Sequence, residues 1–153
     1  MSLKSGDVAE AGYFPETEIC ARYGGGDVSP ALSWSGAPAT TKSFAVTMYD
    51  PDAHGGWWHW LVVNIPPGTT SLAQDAGRGA LPDGAVALQN SNGNARYDGP
   101  CPPAGSGTHH YQITLWALDS PKAAIAGGDP QAAAEWLQKH SISMTRITPV
   151  YRK

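Results

Sequence analysis

The sequence is poor in several features that would indicate a particular class of protein. Only 15% of its 153 residues are charged, the formal net charge is -3, and Lys and Arg form no run. Proteins bind nucleic acids and anionic membrane surfaces through clusters of basic residues, so the sequence predicts neither kind of partner. No apolar stretch is long enough to span a bilayer, and we expect no stable membrane insertion.

Cysteine is also scarce. Cys20 and Cys101 form no CxxC unit, and a single pair defines no disulfide framework. The cysteines therefore do not indicate whether the protein functions in an oxidising or a reducing compartment. Residues 1–13 contain acidic residues and no apolar segment typical of a secretory signal. We therefore expect a cytoplasmic protein, or a periplasmic one if a leader has been removed. Residues 1–3 could be vector-derived.

Apolar residues are plentiful enough for a single core. They make up 41% of the chain, which includes six Trp, and a chain of this length is expected to form one domain, here 1–153. Eighteen Gly and thirteen Pro predict long ordered loops between the apolar segments. The sequence does not predict the oligomeric state, and a homodimer is one of the alternatives.

The spacing of apolar residues predicts a mainly β protein. Residues 44–49 (FAVTMY), 58–65 (WHWLVVNI) and 111–118 (YQITLWAL) are rich in aromatic and β-branched residues, as strands are. The second is apolar at nearly every position and should be covered on both faces. Residues 129–139 begin with Asp-Pro and continue with strong helix formers, which predicts a helix. We expect one or two short helices, and β structure again in residues 142–151.

One motif places two carboxylates directly after the first predicted strand. In an extended segment, residues two apart lie on one face, so Asp50 and Asp52 should point the same way, with Pro51 stiffening the backbone. Such a pair could form part of a site. The alternative is that Asp-Pro simply begins a turn here.

Histidines precede or begin the other two strands. His109 and Tyr111 should share one face of their strand, while His110 points away. His59 lies on an apolar face and should be buried, where it needs a partner, usually a carboxylate. The alternative for each of these histidines is a structural role, in which the ring is hydrogen-bonded within the fold and binds no ligand. The segment 66–107 is rich in turn-forming residues and predicts a long loop that builds or covers a site.

Metal binding and nucleophilic catalysis have little support. His54, His59, His109 and the two aspartates could supply metal ligands, yet no typical metal-site spacing is present, and we expect no metal or cofactor. The sequence has no Gly-x-Ser-x-Gly motif, and Cys101 lies between prolines with no evidence of an activating base.

Seven segments resemble, in the same order, the phosphatidylethanolamine-binding protein family in its shorter bacterial, Raf-kinase-inhibitor-like form. They are DVSPALSW at 27–34, TKSFAV at 41–46, DPDA at 50–53, HWLVVNIP at 59–66, ALPDGAV at 80–86, GPCPPAGSGTHHY at 99–111 and LWALD at 115–119. The resemblance implies an antiparallel β-sandwich with a small surface pocket for phosphate or an anionic headgroup such as phosphoethanolamine. The implied ligand-binding residues are Asp50, Asp52, His59, Pro102, His109 and Tyr111, with Trp57 and Cys101 in the wall.

The leading functional hypothesis is therefore a binding protein for a small anionic or phosphorylated ligand, without catalysis. One alternative is regulation through contact with a protein partner, as in kinase-binding eukaryotic members of the family; exposed aromatic residues outside the pocket would favour it. A less favoured alternative is a hydrolase acting on a phosphate ester, with Asp50 or Asp52 and His59 or His109 as acid and base.

Overall fold

The computed structural model describes residues 1–125 and 128–153. Within them, the chain forms ten strands, one α-helix and three short 3₁₀ helices. The strands are β1 (Ser2–Lys4), β2 (Leu32–Ser35), β3 (Ser43–Asp50), β4 (Trp57–Ile65), β5 (Ser71–Leu72), β6 (Val86–Ala87), β7 (His109–His110), β8 (Gln112–Leu118), β9 (Ser141–Ile147) and β10 (Val150–Tyr151). Helix α1 spans Pro130–His140, and the 3₁₀ helices span Glu16–Glu18, Ala21–Tyr23 and Ala76–Arg78.

Two antiparallel sheets and one strand pair make up the β structure. The larger sheet has the strand order β6-β4-β3-β8-β9, and the smaller one has the order β1-β2-β5. Strand β3 is central, with Val46 paired to Val62 on one side and to Leu115 on the other. The short strands β7 and β10 pair with each other. The prediction of a mainly β protein with one α-helix is confirmed.

The two faces of the five-stranded sheet are covered by different layers. Side chains alternate between faces along a strand, so Phe44 and Val46 join a core shared with Leu32 and Trp34 of the smaller sheet. Ala45 lies on the other face, in a smaller cluster with Leu137 of α1. Strand β4 is buried over nearly its whole length, which agrees with the expectation that both of its faces are covered.

The predicted helix begins where its sequence indicates. Asp129 is the N-cap and its carboxylate accepts a hydrogen bond from the Gln131 backbone N–H at 3.0 Å, while Pro130 occupies the first helical position. The helix buries Ala133, Ala134 and Leu137. Residues 142–151 also form β structure as expected, since β9 is an edge strand and β10 follows Pro149.

Two features of the connections bear on the site. The segment 66–107 contains β5, β6 and a 3₁₀ helix, so it is less irregular than its composition suggests. The Pro149 carbonyl accepts a hydrogen bond from the Tyr111 backbone N–H at 2.9 Å, which ties the start of β8 to the C-terminal strand pair.

In the part of the chain that the structure describes, no helix is long and apolar enough to cross a membrane.

Candidate ligand-binding site

A cavity of about 770 Å³ opens where the β3–β4 turn, the start of β8 and two long loops meet. The sequence-predicted ligand residues all line it: Asp50, Asp52, Trp57, His59, Cys101, Pro102, His109 and Tyr111. Residues that are far apart in the chain thus converge on one concave surface, as ligand sites require. Their role in binding remains a prediction, whereas their proximity is a property of the fold.

The wall of the cavity contains a buried, hydrogen-bonded aspartate–histidine pair at the end of β3. Asp50 and His109 are 2% and 4% exposed, and His109 Nδ1 donates to Asp50 Oδ2 at 2.6 Å. The other carboxylate oxygen accepts the backbone N–H of Asp52 at 2.8 Å and of Ala53 at 3.3 Å. Asp50 therefore caps a turn and orients a histidine at the same time.

The expectation of an extended Asp-Pro-Asp segment was wrong. Residues 51–52 form a turn, because Asp50 accepts backbone hydrogen bonds from the residues that follow it, the usual behaviour of aspartate before a turn. Asp52 is exposed and accepts from both the backbone N–H and the Nδ1 of His110, each at 2.8 Å. Partial burial opposes ionisation of Asp52, but the hydrogen bonds from His110 outweigh it and lower the pKa of Asp52. His110 points away from the buried pair, as predicted.

His59 is buried on β4 at 5% exposure. Its Nδ1 donates to the backbone carbonyl of Asp98 at 2.8 Å, so the partner is a carbonyl and not the carboxylate expected from the sequence. Burial lowers the pKa of His59, against the opposing effects of this hydrogen bond and of the Asp50 and Asp98 charges. The ring is therefore neutral near pH 7, with the lone pair on Nε2.

Tyr111 has a buried hydroxyl group without a partner. The residue is fully buried, and no group in the described residues is hydrogen-bonded to its hydroxyl. Its ring lies edge-on to His59 at 5.3 Å between centroids and is stacked on His109 at 6.4 Å. Burial, followed by the Asp50 charge, raises the pKa of Tyr111. The hydroxyl thus keeps its proton and is a buried donor of a residue that lines the cavity.

A cluster of amide side chains surrounds Asp98, also at the cavity wall. Its carboxylate accepts from the amides of Asn90 at 2.8 Å, Asn92 at 3.2 Å and Asn94 at 2.9 Å, and from Arg96 Nε at 3.1 Å. Burial opposes ionisation, but these four donors outweigh it and lower the pKa of Asp98. We refer to these five residues as the asparagine cluster. Their regular spacing of two residues was the signal that sequence reasoning missed.

A disulfide bond joins two walls of the cavity. Cys20 and Cys101 are 81 residues apart in the chain, and their Cα atoms lie 5.4 Å apart. The two backbone segments are also hydrogen-bonded, from Cys20 N–H to the Pro100 carbonyl at 3.0 Å. Gly99 allows this approach, because a Cβ atom there would collide with the Glu18 carbonyl. The sequence left the pairing of these cysteines open.

Asp27 supports the same junction from a position of positive φ (50°). Its carboxylate accepts from the Gly99 N–H at 2.8 Å and from the Ala21 N–H at 3.2 Å. Arg22 and His54 are exposed side chains on the cavity lining. They supply a guanidinium and an imidazole group at the rim; the sequence did not single out Arg22, and it offered His54 as a possible metal ligand.

Ser106 is a further lining residue that the sequence did not single out. Its hydroxyl lies 3.0 Å from His109 Nε2 and donates to the Pro103 carbonyl at 2.6 Å. In residues 1–125 and 128–153, no group of three or more His, Cys, Asp or Glu side chains is arranged to hold a metal ion.

The five-stranded and three-stranded sheets share one core, and this arrangement is that of a β-sandwich. The family model described as phosphatidylethanolamine-binding protein matches residues 4–152. The chain therefore belongs to the phosphatidylethanolamine-binding protein family, as its motifs suggested.

Several relatives come from bacteria. The UPF0098 protein YbcL of Escherichia coli is 50% identical over 133 residues, covering 83% of this chain and 73% of YbcL. The UPF0098 protein YbhB of the same organism is 39% identical and covers 99% of both chains. The crystal structure of YbcL, described as a new member of the mammalian PEBP family, aligns with a TM-score of 0.95 and 42% identity over 99% of this chain and 98% of that one. A putative family homologue from Chlamydia trachomatis aligns with a TM-score of 0.83 and 29% identity, over 99% and 96% of the two chains.

Proposed function

We propose that this protein binds a small anionic or phosphorylated group, such as inorganic phosphate or phosphoethanolamine, in the cavity. The observation that carries the proposal is the Tyr111 hydroxyl, a buried donor of a cavity-lining residue for which the described residues supply no acceptor. A buried donor without an acceptor destabilises the folded state by about 1–3 kcal/mol. A ligand oxygen at this position would remove that penalty, and an anionic oxygen would form the stronger, charge-assisted kind of hydrogen bond.

The charges around the cavity favour a ligand that carries both signs. Asp50 and Asp52 supply negative charge on one side, where an ammonium group would be attracted. Arg22 and His54 supply positive or titratable charge at the rim. Phosphoethanolamine presents an anionic phosphate and a cationic amine, and the name of the family supports this choice.

His59 couples binding to proton uptake. Its Nδ1 proton is committed to the Asp98 carbonyl, so Nε2 can donate to an anion only after gaining a proton. Because burial lowers the pKa of His59, a bound anion must supply the favourable interaction that stabilises the charged ring. Affinity for an anion should therefore increase as the pH falls from 8 to 5.5.

The test is titration calorimetry of the intact protein with inorganic phosphate, phosphoethanolamine and sulfate. Sulfate keeps its charge across this pH range, so any change in its affinity reports the titration of the protein. We expect saturable binding, weakened about tenfold by Tyr111→Phe, which corresponds to the loss of one hydrogen bond of about 1.4 kcal/mol. His140→Ala is the matched control, since His140 pairs with Asp119 and does not line the cavity. Absence of heat with all three anions at every pH would contradict the proposal.

A role in binding a protein partner has less support. Among the described residues, the exposed large apolar side chains are Tyr13, Val86, Ile142 and Met144. Tyr13 is the one aromatic residue in this group, so the surface offers no cluster of exposed aromatic side chains.

The disulfide bears on where the protein functions. Disulfides persist in oxidising compartments and are rare in the cytosol. Cys20–Cys101 therefore favours an oxidising compartment such as the periplasm over the cytoplasm that the N-terminal sequence suggested. Trapping free thiols in cells before lysis would test this, because a cytoplasmic pool should carry reduced cysteines.

A further inference from the structure

Three side chains at one wall of the cavity lie in series within hydrogen-bonding distance of one another. Asp50 Oδ2 accepts from His109 Nδ1 at 2.6 Å, and His109 Nε2 lies 3.0 Å from Ser106 Oγ. The carboxylate keeps one ring nitrogen protonated, so in the neutral ring the other nitrogen presents its lone pair to a hydroxyl group. The same connectivity activates a serine hydroxyl as a nucleophile on several unrelated folds.

Burial divides these three residues into a rigid part and an accessible part. Asp50 and His109 are almost fully buried, and two backbone N–H groups fix the second oxygen of Asp50. Ser106 is exposed and lines the cavity. The orienting groups are thus held in place while a substrate can reach the hydroxyl.

The backbone around Ser106 holds its hydroxyl next to the histidine. Gly105 and Gly107 have φ values of 79° and 88°, which favour glycine on both sides of the serine. A turn is closed by a hydrogen bond from the Ser106 N–H to the Pro103 carbonyl at 3.1 Å. That carbonyl also accepts the hydroxyl proton at 2.6 Å, so the hydroxyl must rotate towards His109 Nε2 before it can be activated.

We propose that Ser106, His109 and Asp50 hydrolyse small carboxylic esters in this cavity. Ser106 Oγ forms a bond to the carbonyl carbon and passes its proton to His109 Nε2. Cleavage of the ester C–O bond releases the alcohol, which takes that proton and leaves an acyl group on Ser106. Water then attacks the acyl group, gives a proton to His109, and releases the carboxylic acid as the proton returns to Ser106 Oγ. This activity goes beyond anion binding and does not depend on it.

The cavity wall is suited to a small acyl substrate. Trp57, Pro102 and Pro103 provide apolar surface for the acyl and alcohol groups.

The test combines covalent labelling with turnover on the intact protein. We expect a fluorophosphonate probe to modify Ser106, as mapped by peptide mass spectrometry, and p-nitrophenyl acetate to be hydrolysed above the buffer rate. Ser106→Ala should abolish labelling and reduce turnover at least a hundredfold. Because Ser106 is exposed, this variant should fold. Thr108→Ala is the matched control, since Thr108 carries an exposed hydroxyl two residues away that does not line the cavity.

The outcomes separate this inference from the anion-binding proposal. If Ser106 is not labelled and Ser106→Ala hydrolyses the ester as fast as the wild type, the inference is wrong, whether or not phosphate binds. If Ser106 is labelled and Ser106→Ala loses turnover while no anion produces heat in calorimetry, hydrolysis stands and anion binding fails. Equal labelling of Ser106→Ala at another residue would also overturn the assignment.

Discussion

Two groups of polar side chains lie against the same cavity and differ in how completely their hydrogen bonds are formed. In the asparagine cluster, the Asp98 carboxylate accepts from four side chains. At the cavity floor, the described residues provide no partner for the Tyr111 hydroxyl and hydrogen-bond His59 through Nδ1 alone. Buried polar groups are normally hydrogen-bonded, so each exception calls for an explanation. The satisfied cluster holds the wall in shape, and our proposal is that a ligand completes the unsatisfied floor.

The largest effect should come from breaking the satisfied cluster. Asp98→Ala leaves the amides of Asn90, Asn92 and Asn94 without their shared acceptor, and we expect a loss of about 3 kcal/mol in the free energy of unfolding. Urea denaturation would measure it, with an unchanged m-value. Asp119→Ala removes an exposed aspartate paired with His140 and should cost under about 1 kcal/mol. Equal losses in the two variants would show that the cluster is not structural.

A buried carboxyl group away from the cavity sharpens the comparison. Glu18 is fully buried and does not line the cavity. Burial, followed by the charge of Asp7 and a side-chain hydrogen bond with Asp7, raises the pKa of Glu18 to about 8. No ligand in the cavity can satisfy this group, so its effect should appear in stability alone.

The sign of the pH dependence follows from the raised pKa. The stabilisation from protonated Glu18 is fully present below its unfolded pKa of 4.5 and is lost as the pH rises through about 8. Glu18→Gln should remove this dependence and stabilise the protein by about 2 kcal/mol at pH 9 relative to wild type. Thermal unfolding from pH 5 to 9 would measure it. Glu16→Gln is the control, because Glu16 is exposed in the same 3₁₀ helix; a flat wild-type profile would contradict the prediction.

The smallest effect on stability should come from the floor of the cavity. Tyr97 and Tyr111 are both fully buried, but the Tyr97 hydroxyl donates to the Glu18 carbonyl at 2.9 Å. Tyr97→Phe should therefore cost about 1 kcal/mol, whereas Tyr111→Phe should leave the free energy of unfolding unchanged or slightly higher. Chemical denaturation of the two variants in parallel measures the difference. A larger loss in Tyr111→Phe would mean that its hydroxyl has a structural partner.

The sequence was most informative where structure is determined locally. Strands β3, β4 and β8 follow from runs of aromatic and β-branched residues, and α1 follows from the Asp129 cap and Pro130 at its start. The extended interpretation of Asp50 to Asp52 failed, and the alternative turn is the structure observed. An aspartate side chain can accept backbone hydrogen bonds from the next residues and thereby fold the segment into a turn.

The chemical state of the site depends on contacts that local patterns do not specify. The partner of His59 is a backbone carbonyl 39 residues away, and the pairing of Cys20 with Cys101 spans 81 residues. Whether the Tyr111 hydroxyl has a partner depends on every group around it. The resemblance to a family brought the lining residues together, but it gave neither their protonation nor the contact between Ser106 and His109.

The disulfide has a consequence for the connectivity of the whole chain. It converts the segment between Cys20 and Cys101 into a covalent ring, with residues 102–153 as a tail. The ring supplies β3, β4 and β6 to the five-stranded sheet, and the tail inserts β8 and β9 beside them. A backbone nick within the ring, for instance at the exposed turn of residues 67–68, therefore leaves a single covalent molecule whose cavity walls stay joined.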